Sequence, residues 1–355
     1  TPEAVTQGVH RLARGDFWVG GPVAGFRVGL GGFYRVSDGV RDPGYRADEG
    51  GQIRLSVGRD FERGSIDFNI KHLDDNTIFF LGVPLTFDAN GDTAGVPGFD
   101  PNYGTFAGPE TSHFTFRTNR GPYDFDLTRG ADIKLTQSTM AFRYELGAGW
   151  EVQDNLRYRT SDVSRAGLFP NSPVQAADRL AQVKAGLPAA LGATAVQLRF
   201  VNAPGEVFNV AGQNGTGLIM DASMREQDIA LDEWINDFRL LNRFEFGGQS
   251  HDVALGVYYA NVQESFFQIG ASALVDVQDQ ARLLDLVALN DAGQVVANIT
   301  ENGISRYVLQ FNNAEGESKS LALYASDEWR LNDKLRIDLG FRWERIEMSG
   351  RNERS

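Results

Sequence analysis

One strand near the end of the chain has two completely different faces. From Lys334 to Glu344, apolar side chains alternate with polar residues or glycine without a break. A period of two places alternate side chains on opposite faces of a sheet, so one face of this strand is apolar and the other is largely charged. The apolar face carries Leu335, Ile337, Leu339, Phe341 and Trp343. The strand spans roughly ten residues, the length that crosses a bilayer when tilted. Its apolar face therefore meets either a protein core or lipid.

Similar alternation recurs along the chain. The preceding strand, residues 319–330, is joined to the first by Leu331-Asn332-Asp333, which has the Asn/Asp chemistry of a hairpin turn. Further alternating stretches are residues 26–35, 52–61, 65–73, 138–146, 156–159, 235–246 and 252–261, and residues 16–20 are predicted to end a first strand. The pattern predicts about ten strands in all.

The predicted connections alternate between short and long. Short turns are expected near Gly21, Glu62, Glu151, Gln249 and Asn332. Long loops are expected at about 74–134, 161–230 and 263–316, with a loop of moderate length at 37–50. In an antiparallel meander this alternation puts every short turn on one rim and every long loop on the other, as in outer-membrane barrels. A soluble sandwich usually has shorter strands and more even loops.

The predicted fold is therefore all-β, an antiparallel transmembrane β-barrel meander of about ten strands. The size of the loops is typical of a larger barrel, of the 22-strand type whose lumen is plugged. Within the second long loop, Asn171-Ser172-Pro173 predicts the start of a short helix that runs to about Gly186.

Composition excludes several classes of protein. The chain of 355 residues carries 47 Asp+Glu against 34 Lys+Arg, a net charge of −13, which argues against a nucleic-acid partner. It has no cysteine, so it has neither disulfides nor thiolate chemistry. No apolar run approaches the ~20 residues of a membrane helix, which is equally true of barrel strands because their polar faces dilute them.

Two stretches resemble the TonB-dependent outer-membrane receptors. ALYASDEWRLNDKLRIDLGFRWE, residues 322–344, is similar to that family's recurring barrel hairpin, and residues 20–45 are similar to an early hairpin of the same family. The resemblance implies energy-coupled uptake of a scarce solute such as a siderophore, cobalamin or an oligosaccharide. It implies a place in the outer membrane of a Gram-negative bacterium, in contact with lipid and with the TonB complex.

The resemblance covers only part of such a receptor. Neither an N-terminal plug domain nor a TonB box is recognisable, and no C-terminal strand ends in an aromatic residue. Residues 1–355 are therefore predicted to be a partial receptor barrel, with the plug and the C-terminal strands absent. Two alternatives from other classes are a passive porin-type channel and a soluble, secreted, β-rich carbohydrate-binding or hydrolytic protein.

No catalytic constellation stands out, so the chain is not predicted to be an enzyme. The histidines, His10, His72, His113 and His251, are isolated and form no metal-binding pair. Residues 88–92 have oxygen ligands at alternate positions but lack the glycine and glutamate of a calcium loop, which predicts an Asx-rich turn. Neither a metal nor another cofactor is predicted.

Seven arginines fall on the polar faces of predicted strands, where a barrel would turn them towards its lumen. They are Arg54, Arg143, Arg157, Arg159, Arg239, Arg243 and Arg342. One interpretation is contact with a plug or an anionic ligand. The other, which we favour, is a ladder of ion pairs with neighbouring carboxylates such as Asp237, Glu145, Asp338 and Glu344.

Aromatic residues are concentrated in the first long loop. Candidate ligand-binding residues are Phe79, Phe80, Tyr103, Phe106, Phe114 and Phe116. Exposed rings here could stack on a sugar or a siderophore, or the same rings could form a small core of the loop itself. The sequence leaves both interpretations open.

Overall fold

Ten long strands form one antiparallel sheet in which each pairs with the next long strand along the chain. The computed structural model describes residues 11–354, apart from the side chain of Val308. The long strands are β1 (Ala13–Val23), β2 (Phe26–Ser37), β3 (Asp48–Phe61), β4 (Gly64–Thr77), β9 (Ala131–Gly147), β10 (Trp150–Pro170), β14 (Leu218–Phe246), β15 (Gln249–Asp276), β18 (Ile304–Asn332) and β19 (Leu335–Arg354). The predicted all-β meander of about ten strands is confirmed. The sheet is open, with β1 and β19 at its two edges.

The shorter elements all lie in the long connections. The strands are β5 (Leu85–Phe87), β6 (Thr93–Gly95), β7 (His113–Thr118), β8 (Gly121–Asp126), β11 (Val174–Gln175), β12 (Ala195–Phe200), β13 (Ala203–Val207), β16 (Leu284–Leu289) and β17 (Val295–Asn298). The helices are α1 (Pro109–Ser112) and α2 (Ala176–Gly186). Strands β13, β12, β16 and β17 form a small second sheet from two separate connections. Among residues 11–354, no helix has the length and apolar character needed to cross a membrane.

Every short connection is a two-residue turn, and all five lie on one rim of the sheet. They are residues 24–25, 62–63, 148–149, 247–248 and 333–334. Gly247 and Gly248 both have positive φ, as do both residues of 24–25 and of 148–149, the conformation whose twist matches that of the flanking strands. The turn predicted at Gly21 lies later because β1 continues through Pro22, which an edge strand tolerates.

The long connections lie on the opposite rim, as predicted, but are shorter than predicted. The shortest of them spans residues 38–47, and the three others are called the first (78–130), second (171–217) and third (277–303) connections. Strands β10, β14, β15 and β18 extend well into the stretches read as loops, because both of their faces become buried there and the apolar/polar alternation fades. Helix α2 ends at Gly186 as predicted. It begins at Ala176 rather than at Pro173, because Val174 and Gln175 first pair with β14.

In the half of the sheet next to the short turns, one side of the sheet carries exposed apolar side chains. We call this side the apolar face and the opposite side the polar face. Leu335, Leu339, Phe341 and Trp343 on β19 are 48%, 56%, 68% and 46% exposed. Strand pairing continues this face across the sheet, where Trp343 is followed by Leu323 on β18, Val257 on β15 and Phe238 on β14. Along β14, the apolar face extends to Trp234. Beyond these residues the same face becomes polar, at Asp232 on β14 and Arg345 on β19.

The buried core lies in the loop half of the molecule, on both sides of the extended strands. Rings of the first long connection pack on Met220, Ala222 and Met224 of β14. Elements of the second and third long connections pack instead on Ile219 and on Leu274 of β15. Since successive side chains point to opposite faces, the loop layers cover the strand extensions from both sides.

On the polar face, Gly256 lies so close to a ring of the neighbouring strand that a larger residue would not fit. The ring of Tyr324 lies over Gly256 on the neighbouring strand, where an added Cβ would come within 2.0 Å of the ring. In this position the Tyr324 hydroxyl accepts a hydrogen bond from Arg239 Nε at 3.0 Å and donates one to Asp237. The glycine therefore makes room for a polar cluster that joins β14 to β18.

Gly256→Ala is expected to lower the free energy of unfolding by about 1–3 kcal/mol, because the Tyr324 ring must leave its site. Urea titrations of the folded protein would measure the change. Gly316→Ala is the matched control, since its Cβ would meet nothing closer than 3.7 Å. Equal stability of the two variants would contradict the packing described.

Candidate functional site

All seven predicted arginines lie on the polar face, opposite the apolar face. Six of them make ion pairs: Arg143–Glu151 at 3.0 Å, Arg157–Glu233 at 2.8 Å, Arg159–Glu233 at 3.3 Å, Arg243–Asp252 at 3.3 Å, Arg342–Glu344 at 3.1 Å and Arg239–Asp237. Arg54 is exposed. The favoured interpretation as a ladder of ion pairs describes what these side chains do within the chain.

The predicted loop aromatics divide into two groups. Phe106, Phe114 and Phe116 are buried in the core between the first connection and the sheet. Phe79 and Tyr103 are 42% and 44% exposed, and Phe80 is half-buried. The loop-core interpretation thus accounts for the first group. The second group remains available for ligand contact, which stays a prediction.

The seven-residue segment 276–282 consists of the last residue of β15 and the start of the third connection, and it links this connection to the other three. The Arg282 guanidinium pairs with Glu110 of the first connection at 3.0 Å and with Glu206 of the second at 3.1 Å. It also lies 3.7 Å from the centroid of the Phe200 ring. Gln280 Nε2 donates to the carbonyl oxygen of Asp42 in the connection between β2 and β3 at 3.1 Å. We call residues 276–282 the loop hub.

The carboxylate of Asp276 fixes the shape of the hub from inside. It is fully buried and accepts hydrogen bonds from the Arg282 backbone N–H at 2.7 Å and from Asn214 Nδ2 at 3.1 Å. Burial raises the pKa of Asp276 to about 6 despite these donors. The hydrogen bond from Asn214 also ties the second connection to the hub.

A second, partly buried polar cluster attaches the first connection to the sheet. Arg129, at the end of that connection, donates to Glu226 and to Asp228, the latter at 3.0 Å, and to the Ser164 hydroxyl. The Arg129 guanidinium thus binds both carboxylates. Burial is the largest cause that raises the pKa of Glu226 to about 7, and the Asp228 charge acts in the same direction.

The sequence predicts neither cluster, and the reason differs between the two. For Glu226 and Asp228, the sequence predicts loop at residues 218–230 and 263–276, where the structure has strands. With the strands extended, Glu226 and Asp228 fall two residues apart and therefore on one face, where they can share a cation. Nothing in the sequence pairs Arg282 with Glu110 or Glu206, because those contacts join different connections.

The acidic motif at residues 88–92 forms a turn. Asp88 Oδ1 accepts the backbone N–H groups of Asn90 at 2.8 Å and Asp92 at 3.0 Å, which confirms the predicted Asx-rich turn. Among residues 11–354, no three His, Asp or Glu side chains are grouped as a metal site would require. His10 lies outside the described residues.

The sequence of the chain matches one family model, and its fold is similar to that of solved structures. The family model described as TonB-dependent receptor-like β-barrel matches residues 67–355. The open form of the ferric-catecholate import receptor Fiu from E. coli K12 is 14% identical, with a TM-score of 0.53, over 96% of this chain and 43% of that one. FpvA of P. aeruginosa bound to a heterologous pyoverdine with iron is 11% identical, with a TM-score of 0.54, over 98% of this chain and 37% of that one.

These likenesses show the fold, and the chain spans about two fifths of the length of those receptors. No curated protein matches the sequence.

The stability of the protein is expected to fall as pH rises from 5 to 8, because of Glu226. Its pKa in the folded protein, about 7, lies above the ordinary value of 4.5, so the folded state binds the proton more tightly. That stabilisation is complete below pH 4.5 and is lost as pH rises through 7. Glu226→Gln should remove about 1–3 kcal/mol of this dependence in thermal unfolding scans. The exposed turn variant Glu62→Gln should retain it, and an unchanged slope in Glu226→Gln would contradict the assignment.

Arg282→Met is expected to loosen the loop layer without affecting the sheet near the short turns. Loss of both ion pairs should raise amide hydrogen exchange at residues 98–110 and 203–217 by about tenfold or more. Residues 249–259 should keep their protection. Arg199→Met is the control, since Arg199 donates to Gln197 on its own strand at 2.8 Å. Equal exchange in both variants would show that the hub does not hold the connections together.

Proposed function

The chain belongs to the TonB-dependent receptor-like β-barrel family, and on that premise we propose that the full protein is an outer-membrane receptor that imports a scarce solute. The TonB complex is the proposed energy source, and a Gram-negative outer membrane is the proposed location. The proposal assigns the ten long strands to part of the barrel wall and the four long connections to the external side.

The observation that carries this proposal is the uncovered apolar face. Leu339 and Phe341 are more than half exposed, and no second layer of the described residues packs on them. Burying such a side chain stabilises a protein by roughly 1.5–3 kcal/mol, so a soluble fold would cover it. Lipid supplies the same environment. The soluble carbohydrate-binding alternative requires these faces to pack on each other, and among residues 11–354 no such packing occurs.

The polar face supports a water-filled or plugged interior. Opposite charges meet on this face within and between neighbouring strands, as in Arg143–Glu151, Arg157–Glu233 and Arg342–Glu344. A lumenal surface of this kind remains hydrated or contacts a polar plug. We assign the seven arginines to this lumenal surface.

Ligand capture is assigned to the external connections. FpvA is known in complex with iron-loaded pyoverdine, and Fiu is a ferric-catecholate import receptor. For this chain we propose a siderophore, cobalamin or an oligosaccharide as ligand, with Phe79, Phe80 and Tyr103 as contacts. Their rings lie in the first connection and present apolar area on which a ligand could stack.

Expression of the full-length gene followed by cell fractionation tests the location. We expect the protein in the outer-membrane fraction, and recovery in a soluble fraction would refute the proposal. Uptake of radiolabelled iron chelates, cobalamin and maltodextrins by expressing cells then tests the transport. Uptake should stop when the proton gradient is collapsed, whereas gradient-independent uptake would indicate the porin-type alternative.

A further inference from the structure

The polar face carries a patch without a carboxylate where the long strands enter the loop layer. Four neighbouring strands, β10, β14, β15 and β18, contribute three paired rows to it. The rows are Arg165–Gln227–Gln268–Asn312, Gly167–Arg225–Gly270–Gln310 and Phe169–Ser223–Ser272–Arg306. We call this set the carboxylate-free patch. It spans roughly 14 Å across the strands and roughly 14 Å along them.

The lack of carboxylates is unexpected in a chain with a net charge of −13. Alternation along β14 explains it, because Glu226 and Asp228 fall on the opposite face, where Arg129 binds them. Of the carboxylates that border the patch on the polar face, Glu264 makes no ion pair with the described residues and lies two rows from Gln268, whereas Asp221 and Glu233 are paired. Asp221 binds Arg179 at 2.7 Å, and Glu233 binds two arginines.

The arginines of the patch are not neutralised. Within residues 11–354, Arg165, Arg225 and Arg306 have no ion pair, whereas six of the seven arginines in the ladder do. Arg225 Nε and Asn312 Oδ1 are buried without a hydrogen-bond partner. A buried polar atom without a partner is costly, so these atoms are suited to hydrogen-bonding a bound molecule.

Arg225 is oriented by a neighbouring aromatic ring and makes no ion pair within the described part of the chain. Its guanidinium lies 5.0 Å from the centroid of the Phe169 ring, a cation–π contact that orients it. Its cross-strand neighbours are Gly167 and Gly270, so no side chain flanks it on either strand. A Cβ at Gly167 would meet Phe169 at 3.0 Å and Phe79 at 3.2 Å, so the glycine also makes room for both rings.

Guanidinium groups prefer carboxylate and phosphate oxygens, which they bind with two parallel hydrogen bonds. The amides and hydroxyls of the other patch residues would bind further oxygens. We propose that the carboxylate-free patch binds an anionic, oxygen-rich solute bearing carboxylate or phosphate groups. This inference rests on the proposed function, since it places the ligand on the polar face below the external connections. It favours an anionic chelate over a neutral oligosaccharide.

Calorimetric titration of the full-length protein in detergent tests the inference with citrate, pyrophosphate and neutral maltotriose as probes. At least one of the anions should bind about tenfold or more tightly than maltotriose. Arg225→Gln and Arg165→Gln should each weaken anion binding by about tenfold, the loss of one charge-assisted contact. Arg345→Gln is the matched control on the other face, where Arg345 pairs with Glu347, and it should bind as the parent does.

Three outcomes would overturn the inference. They are equal affinity for maltotriose and the anions, unchanged anion binding in both patch variants, and no binding of either anion at about 10 mM. Fractionation separates this failure from failure of the proposed function. A protein in the outer membrane that fails the titration keeps its proposed role but loses the anionic ligand. A protein in a soluble fraction loses both.

Discussion

An apolar sheet face that the described chain leaves uncovered is the constraint on which the rest of this structure depends. The face is built from strands whose backbone groups are paired from strand to strand, so the sheet can meet an apolar medium with side chains alone. Two-residue turns close every hairpin on one rim, which leaves all larger segments on the other. The buried core therefore forms between those larger segments and the strand ends next to them, and it does not cover the apolar face.

The same strands serve two environments because pairing keeps side-chain direction constant along their length. Near the short turns, the apolar side chain of Phe238 and the charged side chain of Asp237 on β14 point to opposite faces of the sheet. Further along β14, the side chains of Met224 and Arg225 also point to opposite faces. Met224 is buried in the core beside the first connection, whereas Arg225 on the other face has no ion pair among residues 11–354. The loop hub then joins four connections that are far apart in sequence, so the loop layer forms one packed unit.

Much of the wall could be read from the sequence. The hairpin around Asn332, the short turn at Glu62 and helix α2 up to Gly186 all lie where the pattern predicted them. The predicted starts of the long strands were least accurate, because they depend on the alternation of apolar and polar residues. Strand β14 begins at Leu218, although this alternation starts only near residue 235. Ion pairs within one strand or between neighbours, such as Arg239–Asp237, were predictable from spacing. The Arg282 contacts were not, since they depend on how separate connections pack.

By itself, the sequence determined the antiparallel meander, the faces of its strands and the asymmetry between its rims. Those properties are local, because a period of two and the turn residues act over a few positions. Only the tertiary structure decided which loop aromatics are buried, which carboxylates Arg129 and Arg282 bind, and where the polar face is free of negative charge. Those properties are set by contacts between residues distant in the chain, and pairing of the long strands brings them together.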